Sequence, residues 1–373
     1  MQLTREFQPT KHSPEAHWLR DKKVKDLMET NKRRLVEVPY TASLAHTMNA
    51  LVVNRVVAVP VAAPPGHWIG AGGSMIMEAD KQTGTVRKHY IGMVTMLDIL
   101  AHIADADDEE MDGGDGSDLD LKMSVEVSTI IGHCLEGLSL WTLNPNTSLV
   151  DCMEVFSKGI HRALVPLDSH MDNVTGVELV ESASTYRMLT QMDVLRFLKE
   201  HNSELQSITS KSIQDLGAVT ENVFAISHRT KLIDAIKSMR IAMLNAVPIV
   251  RASDIPEEDH KLLINGRGRK AIGTFSSTDL RGCHLSTLKS WLPASALEFI
   301  EAVSTSPLFA EQSGENPKRE LVTCEAESSL AVVIDKAVTH HVHRVWVVES
   351  QGLLTGLVSL TDIIRVLRQS LMS

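Results

Sequence analysis

Apolar residues recur at i, i+4 and i+7 in four places along this chain, and each time the pattern then switches to a short aliphatic run. The helical sets are Leu44, Met48, Leu51; Leu149, Met153, Phe156; Leu232, Ile236, Met239; and Leu330, Ile334, Ala337. That spacing lines up three side chains on one helix face, so four amphipathic helices are predicted. Ser43, Ser148 and Ser329 precede three of them. A serine hydroxyl there satisfies an amide N–H that the first helical turn leaves unpaired. The runs that follow are Val56 to Val61, Ala163 to Leu167, Ala246 to Val250 and Val345 to Val348. β-branched runs of this length suit strands covered on both faces.

A further strand and a turn close each unit. In the last copy the string is Gly356, Leu357, Val358, Ser359, Leu360, Thr361, Asp362, Ile363, Ile364. Earlier versions are Gly92 to Ile99, Met188 to Val194 (without the glycine) and Gly273 to Leu280. Their aspartates, Asp98, Asp193, Asp279 and Asp362, are 95, 86 and 83 residues apart, so one unit has been used four times. The expected fold is α/β, with α+β repeats of strand, helix, strand, strand, helix.

Copy four spans 32 residues from Leu330 to Asp362, whereas the same span takes 54, 44 and 47 residues in the others. The added length falls between the two later strands, at Pro64 to Gly66, Gly70 to Gly73 and Asn265 to Gly268. These read as surface hairpin tips, with Arg267, Arg269 and Lys270 solvated. The units are expected at 18–104, 123–202, 208–285 and 298–371, with an acidic linker at 105–122.

Composition refines this picture. The chain is 43% hydrophobic but only 4% aromatic, so its cores must be aliphatic and rich in methionine. A net charge of −10 argues against a nucleic-acid surface. Much of that charge lies in Asp105 to Asp120, which reads as a solvated linker. Cys134, Cys152, Cys283 and Cys324 share no close spacing, which fits reduced thiols. No stretch of about 18 apolar residues and no leader-like apolar N-terminus occurs. A cytoplasmic or nuclear protein away from membranes is expected.

The repeated turn carries the candidate chemistry. An aspartate at a helix start can accept two hydroxyls of a ribose diol, and a Ser or Thr three residues earlier faces the same cleft. The same pair can instead simply cap the helix, and the residues leave both roles open. His and Arg at the start of a strand offer donors for a phosphate. His340, His341 and His343 share no face on which to hold a metal. Gly66 to Gly73 lacks the Gly-Lys-Ser/Thr of a phosphate loop. No nucleophile elbow, kinase loop set, zincin motif or dinucleotide fingerprint appears. A binding protein is therefore expected rather than an enzyme.

The unit with its Gly-x-x-Ser/Thr-x-x-Asp ending resembles a cystathionine-β-synthase (CBS) motif. Four in series resemble two Bateman modules, and four copies permit closure into one pseudo-symmetric disc. Copy four, with His343, Arg344, Val345, Trp346, Val347, Val348 ahead of its turn, is similar to the last repeat of the gamma regulatory subunit of the AMP-activated or sucrose-non-fermenting (SNF1-related) protein kinase family. Ser210 to Ser212, Leu189-Thr190 and Leu195 to Lys199 match the same family. The likeness extends over roughly 18–371, in a CBS-only, gamma-like branch.

The resemblance implies that adenine nucleotides (AMP, ADP, ATP) bind between repeats as regulatory ligands, with no obligatory cofactor. It implies ribose contacts at Asp98, Asp193, Asp279 and Asp362, and neighbouring hydroxyls at Thr95, Thr190, Ser276, Ser359 and Thr361. His161, Arg162, His343 and Arg344 would be the phosphate contacts. Its implied partners are a kinase catalytic (alpha) subunit and a beta subunit. Copies one and three depart from the pattern, with Asn54-Arg55 and Leu244-Asn245 aligned to the His-Arg pair, so residues 343–362 are expected to make the strongest contact. The alternatives are a free-standing CBS sensor acting on another enzyme or transporter, and a scaffold whose sites are empty.

Overall fold

The structure, a computed structural model, describes residues 14–28, 35–63, 89–106, 117–131, 140–166, 186–252, 259–280, 285–305 and 321–372. Four units of one build follow each other. Each opens on a short strand (Val38–Pro39, Trp141–Thr142, Phe224–Ser227, Thr323–Cys324) and crosses through a helix (Leu44–Val53, Leu149–Ser157, Leu232–Ile241, Leu330–Thr339). A second strand (Ala58–Ala63, Arg162–Pro166, Ala246–Val250, Arg344–Val348) then lies parallel to the first. The crossover helix makes that parallel pairing feasible, because a tight hairpin could only return antiparallel. The third strands (His89–Thr95, Tyr186–Thr190, Ala271–Ser276, Leu354–Ser359) run antiparallel to the second. They lead into helices Met96–Ala106, Gln191–Glu200 and Leu360–Met372, whereas repeat three closes with the 3-10 turn Ser277–Leu280.

The predicted helix sets are all buried, at 3% exposure or less. Ser43, Ser148 and Ser329 accept hydrogen bonds from the backbone N–H three residues on, as N-caps. The Ser148 hydroxyl also donates to Asp151 at 2.6 Å. A Ser148→Ala variant should lose about 1 kcal/mol of stability, read from its urea unfolding midpoint. An unchanged midpoint would show that the cap contributes nothing.

Packing joins the repeats in a ring. One large apolar core combines repeats two and four, including Leu149, Met153, Phe156, Leu330, Ile334 and Ile364. A second combines repeats one and three, including Leu44, Leu51, Leu97, Leu232, Ile236 and Phe275. Sheet faces meet at two smaller clusters. Leu35, Leu164 and Tyr186 join repeats one and two, while Val223, Ala225, Trp346 and Leu354 join three and four. Each repeat thus touches one neighbour through helices and another through its sheet, and the four close into a disc.

The segment leading into each repeat docks on the other member of its sheet-joined pair. Lys22 O accepts from Leu149 N at 2.8 Å, although its segment precedes repeat one, and Val125 O accepts from Leu44 N at 2.9 Å. In the other pair Lys211 O accepts from Leu330 N at 3.0 Å, and Ala294 O from Leu232 N at 2.8 Å. The exchange ties each helix start to its partner and makes the pair, rather than the repeat, the cooperative unit.

This crossing explains the motif glycine of repeat four. A Cβ on Gly356 would meet Val219 Cγ1 at 2.6 Å and Thr220 O at 2.9 Å. The Thr220 and Leu357 backbones exchange two 2.9 Å hydrogen bonds there, so the two chains cannot separate to make room.

One expectation is refined. Around Asn265 to Gly268, Arg267 and Lys270 are exposed as expected, but the hairpin also docks on repeat four, where Gly268 N donates to Leu354 O at 2.7 Å and Leu354 N to Arg269 O at 2.9 Å. Arg267 pairs with Glu221 at 2.6 Å. The open strand edge of repeat four supplies the unpaired backbone groups that draw the hairpin in. Pro64 to Gly66, Gly70 to Gly73, Cys134, Cys283 and residues 107–116 of the acidic segment lie outside the described residues. Among the described residues no helix is long and apolar enough to cross a membrane.

Candidate functional site

Each repeated turn forms a helix cap. Asp98 Oδ2 accepts from the Thr95 amide at 2.7 Å and from its hydroxyl at 2.6 Å. Asp193 takes the same bonds from Thr190 at 2.9 and 2.6 Å, and Asp362 from Ser359 at 3.0 and 2.6 Å. Asp279 accepts from Ser276 at 2.7 Å (amide) and 3.3 Å (hydroxyl). The cap therefore occupies one oxygen of every carboxylate. The second oxygens differ. Asp193 Oδ1 receives Arg196 Nη1 at 3.2 Å, and Asp362 Oδ1 receives Arg365 Nη2 at 3.0 Å. Asp98 is fully buried, and its Oδ1 has no hydrogen-bond partner among the described residues.

Strand register decides which cations face these turns. Arg162 lies directly opposite Thr190, and Arg344 opposite Ser359. Residues so paired have Cβ atoms about 5 Å apart. At the matching positions Ala58 faces Thr95 and Ala246 faces Ser276. The carbonyls of Val57, His161, Asn245 and His343 accept from the first residue after each third strand, at 3.3, 3.1, 2.8 and 3.2 Å. The equivalents of the His-Arg pair in repeats one and three are thus Val57-Ala58 and Asn245-Ala246. This corrects the alignment to Asn54-Arg55 and Leu244-Asn245. Arg55 instead ends the preceding helix in a left-handed conformation, φ 53°.

The cations converge on a cavity of about 390 Å³ at the centre of the disc, where all four repeats meet. Its lining includes Lys158, His161 and Arg162 of repeat two, Arg240 and Asn245 of repeat three, and Arg344 of repeat four. Apolar side chains complete it, among them Met93 and Leu97 of repeat one, Ile160 of repeat two, and Met239, Met243 and Leu244 of repeat three. Asn245 Nδ2 lies 3.4 Å from His161 Nδ1, bridging repeats two and three. Four cationic side chains, of which Lys158 also pairs with Glu154 at 2.9 Å, and no carboxylate among the described lining residues make a cavity suited to an anion, with apolar side chains beside it.

Electrostatics mark the same cluster. Burial pushes the Arg344 guanidinium down to about 10, opposed by Asp362. It stays charged at neutral pH. Burial, reinforced by Arg344, pushes His161 down to about 4, so its imidazole is neutral. The unfolded chain takes a proton near the ordinary value of 6.5, so the stability this group contributes is present above about pH 6.5 and is lost as pH falls toward 4. Relative to the native chain, His161→Gln should show about 1–2 kcal/mol less loss between pH 7 and pH 4.5 in urea unfolding. Equal losses in both proteins would refute this.

The predicted residues do not all assemble. Arg162, His161 and Arg344 share the cavity, whereas His343, which is exposed, and all four turn aspartates with their Ser/Thr hydroxyls are outside its lining. Thr361 accepts from Gln191 Nε2 at 2.9 Å, which places it in the seam between repeats two and four. Lys158 and Arg240 are not distinguished by the sequence, and Asn245 appears there only as a departure from the His-Arg pattern. Arg240 in the last turn of its helix and Lys158 at a helix C-cap are ordinary partners of free helix carbonyls, so nothing local distinguished them.

A CBS domain family model matches residues 317–369, which is repeat four. The SNF1-related protein kinase regulatory subunit gamma-like PV42a of Arabidopsis thaliana is 62% identical over 351 residues, covering 93% of this chain and 95% of that protein. The corresponding gamma-like PV42b of the same plant is 59% identical, covering 94% and 96%. Among solved structures, protein MJ1225 of Methanocaldococcus jannaschii has a TM-score of 0.57 at 17% identity, covering 92% of this chain and 99% of that one. That likeness shows the fold of four repeats in one chain.

Proposed function

The chain belongs to the family of SNF1-related protein kinase gamma-like CBS proteins, and on that basis we propose that it is a non-catalytic regulatory subunit that binds adenine nucleotides between its repeats. Through a kinase catalytic (alpha) subunit and a beta subunit it modulates an SNF1-related, AMP-activated-type kinase. One observation carries the reading. Arg162 and Arg344, each opposite a Ser/Thr-Asp turn, open into one central cavity whose lining cations suit phosphate and whose apolar lining residues suit a base. A ligand at the centre of a closed ring touches several repeats at once. It can therefore bias how they pack, and so how a partner is held.

Titration calorimetry of the whole chain with AMP, ADP and ATP tests the binding half. Heat of binding and a thermal shift with at least one nucleotide are expected, and neither with any of the three would sink it. Co-purification with catalytic and beta subunits tests the partner half. A chain that leaves both behind under conditions that preserve its fold does not act through that complex.

A further inference from the structure

We propose that Arg196 and Arg365 are latches on the ribose-binding carboxylates of repeats two and four, so that a vicinal diol binds only by displacing a guanidinium. The inference rests on the nucleotide reading above. Asp193 and Asp362 belong to the two turns whose Thr190 and Ser359 stand opposite an arginine on the neighbouring strand, and both are already satisfied on each oxygen. Oδ2 closes the helix cap in both. Oδ1 accepts from Arg196 at 3.2 Å in repeat two and from Arg365 at 3.0 Å in repeat four. Each latch stands three residues after its aspartate, the spacing that brings two side chains to one helix face.

The other two repeats have no equivalent. Ala101 and Gly282 stand three residues after Asp98 and Asp279. The latches thus occur in the same two repeats that place Arg162 and Arg344 opposite the turn. The carboxylate side chains there are 15% and 14% exposed and the latch arginines 46% and 34%. A guanidinium can therefore swing into solvent without unpacking the core. Ion pairs of such exposure hold about two- to fivefold in equilibrium terms, weak enough for a diol with two donors to compete.

Both latches also reach beyond their own helix. Arg196 Nη2 lies 3.3 Å from His341 Nδ1 in repeat four, two residues before His343 and three before Arg344. Arg365 Nη2 donates to Gly217 O at 3.2 Å, in the segment that runs on to Val219 and Thr220 across Gly356. Displacing either guanidinium alters a contact between neighbouring units, which gives ribose binding a route into the packing of the ring.

The test compares Arg196→Met and Arg365→Met with the native chain by calorimetric titration, after circular dichroism has checked their fold. Adenosine is the principal probe, because it carries the diol without a phosphate that the lost cation would otherwise attract. Each variant should bind adenosine about two- to fivefold more tightly, and the gain should vanish for 2′,3′-dideoxyadenosine. Unchanged or weaker adenosine binding, or an equal gain with the dideoxy compound, overturns the latch. If AMP binds normally while adenosine ignores both substitutions, the latch alone fails. If neither AMP nor adenosine binds any of the three proteins, the nucleotide reading fails and the latch with it.

Discussion

An Arg344→Ala variant is expected to bind AMP about 10- to 150-fold more weakly than the native chain, the range for one charge-assisted phosphate contact worth about 1.5–3 kcal/mol. Arg344 starts the second strand of repeat four, opposite Ser359, and lines the central cavity with Arg162. Burial already draws its pKa down to about 10, so the site holds a costly cation that an incoming phosphate would stabilise. Folding should be little affected, because the cost of burying this charge outweighs its attraction to Asp362. The same substitution should raise the His161 pKa from about 4, since Arg344 is one of the two causes that lower it. Histidine titration by NMR reads that shift without any ligand. Weak AMP binding with no movement of His161 would mean that the two side chains do not share a cavity as described.

Gly356→Val should be the most damaging single substitution in repeat four, lowering stability by more than about 3 kcal/mol. Its Cβ would lie 2.6 Å from Val219 Cγ1 and 2.9 Å from the Thr220 carbonyl oxygen. Because Thr220 is held by two backbone bonds to Leu357, the clash can be relieved only by breaking them. Gly273→Ala is the control. Its Cβ would meet the Ile300 Cδ1 terminus at 3.0 Å, and a flexible methyl can move aside, so the loss should stay near 1 kcal/mol or below. Similar unfolding midpoints for the two variants would show that the backbone crossing at Thr220 does not constrain position 356.

Much of this molecule was legible beforehand because its signals are local. The i, i+4, i+7 sets, the serine caps and the aliphatic strands each depend on residues within one turn of helix or one strand, and the structure carries them where the pattern put them. The Ser/Thr-Asp turns were legible too, and both of the roles left open for them draw on the same carboxylates, since the cap takes only one oxygen of each. The alignment of repeats one and three failed for a physical reason. The His-Arg position is set by the hydrogen bond from the start of the closing turn back to Val57 or Asn245, a contact 32 or more residues away in sequence.

Tertiary structure alone decided how the four copies meet. Nothing in a repeat says that its leading segment docks on its partner, that Asn265 to Gly268 clasps repeat four, or that Lys158, Arg240 and Asn245 join Arg162 and Arg344 around one cavity. Periodicity and capping are fixed by short-range sterics and hydrogen bonding, so the chain's order is enough to specify them. The cavity and the latches depend on which apolar face finds which, a choice made only when distant helices bury their surfaces together. The unit and its number of copies were therefore written in the residues, and the place where their charges gather was written in the packing.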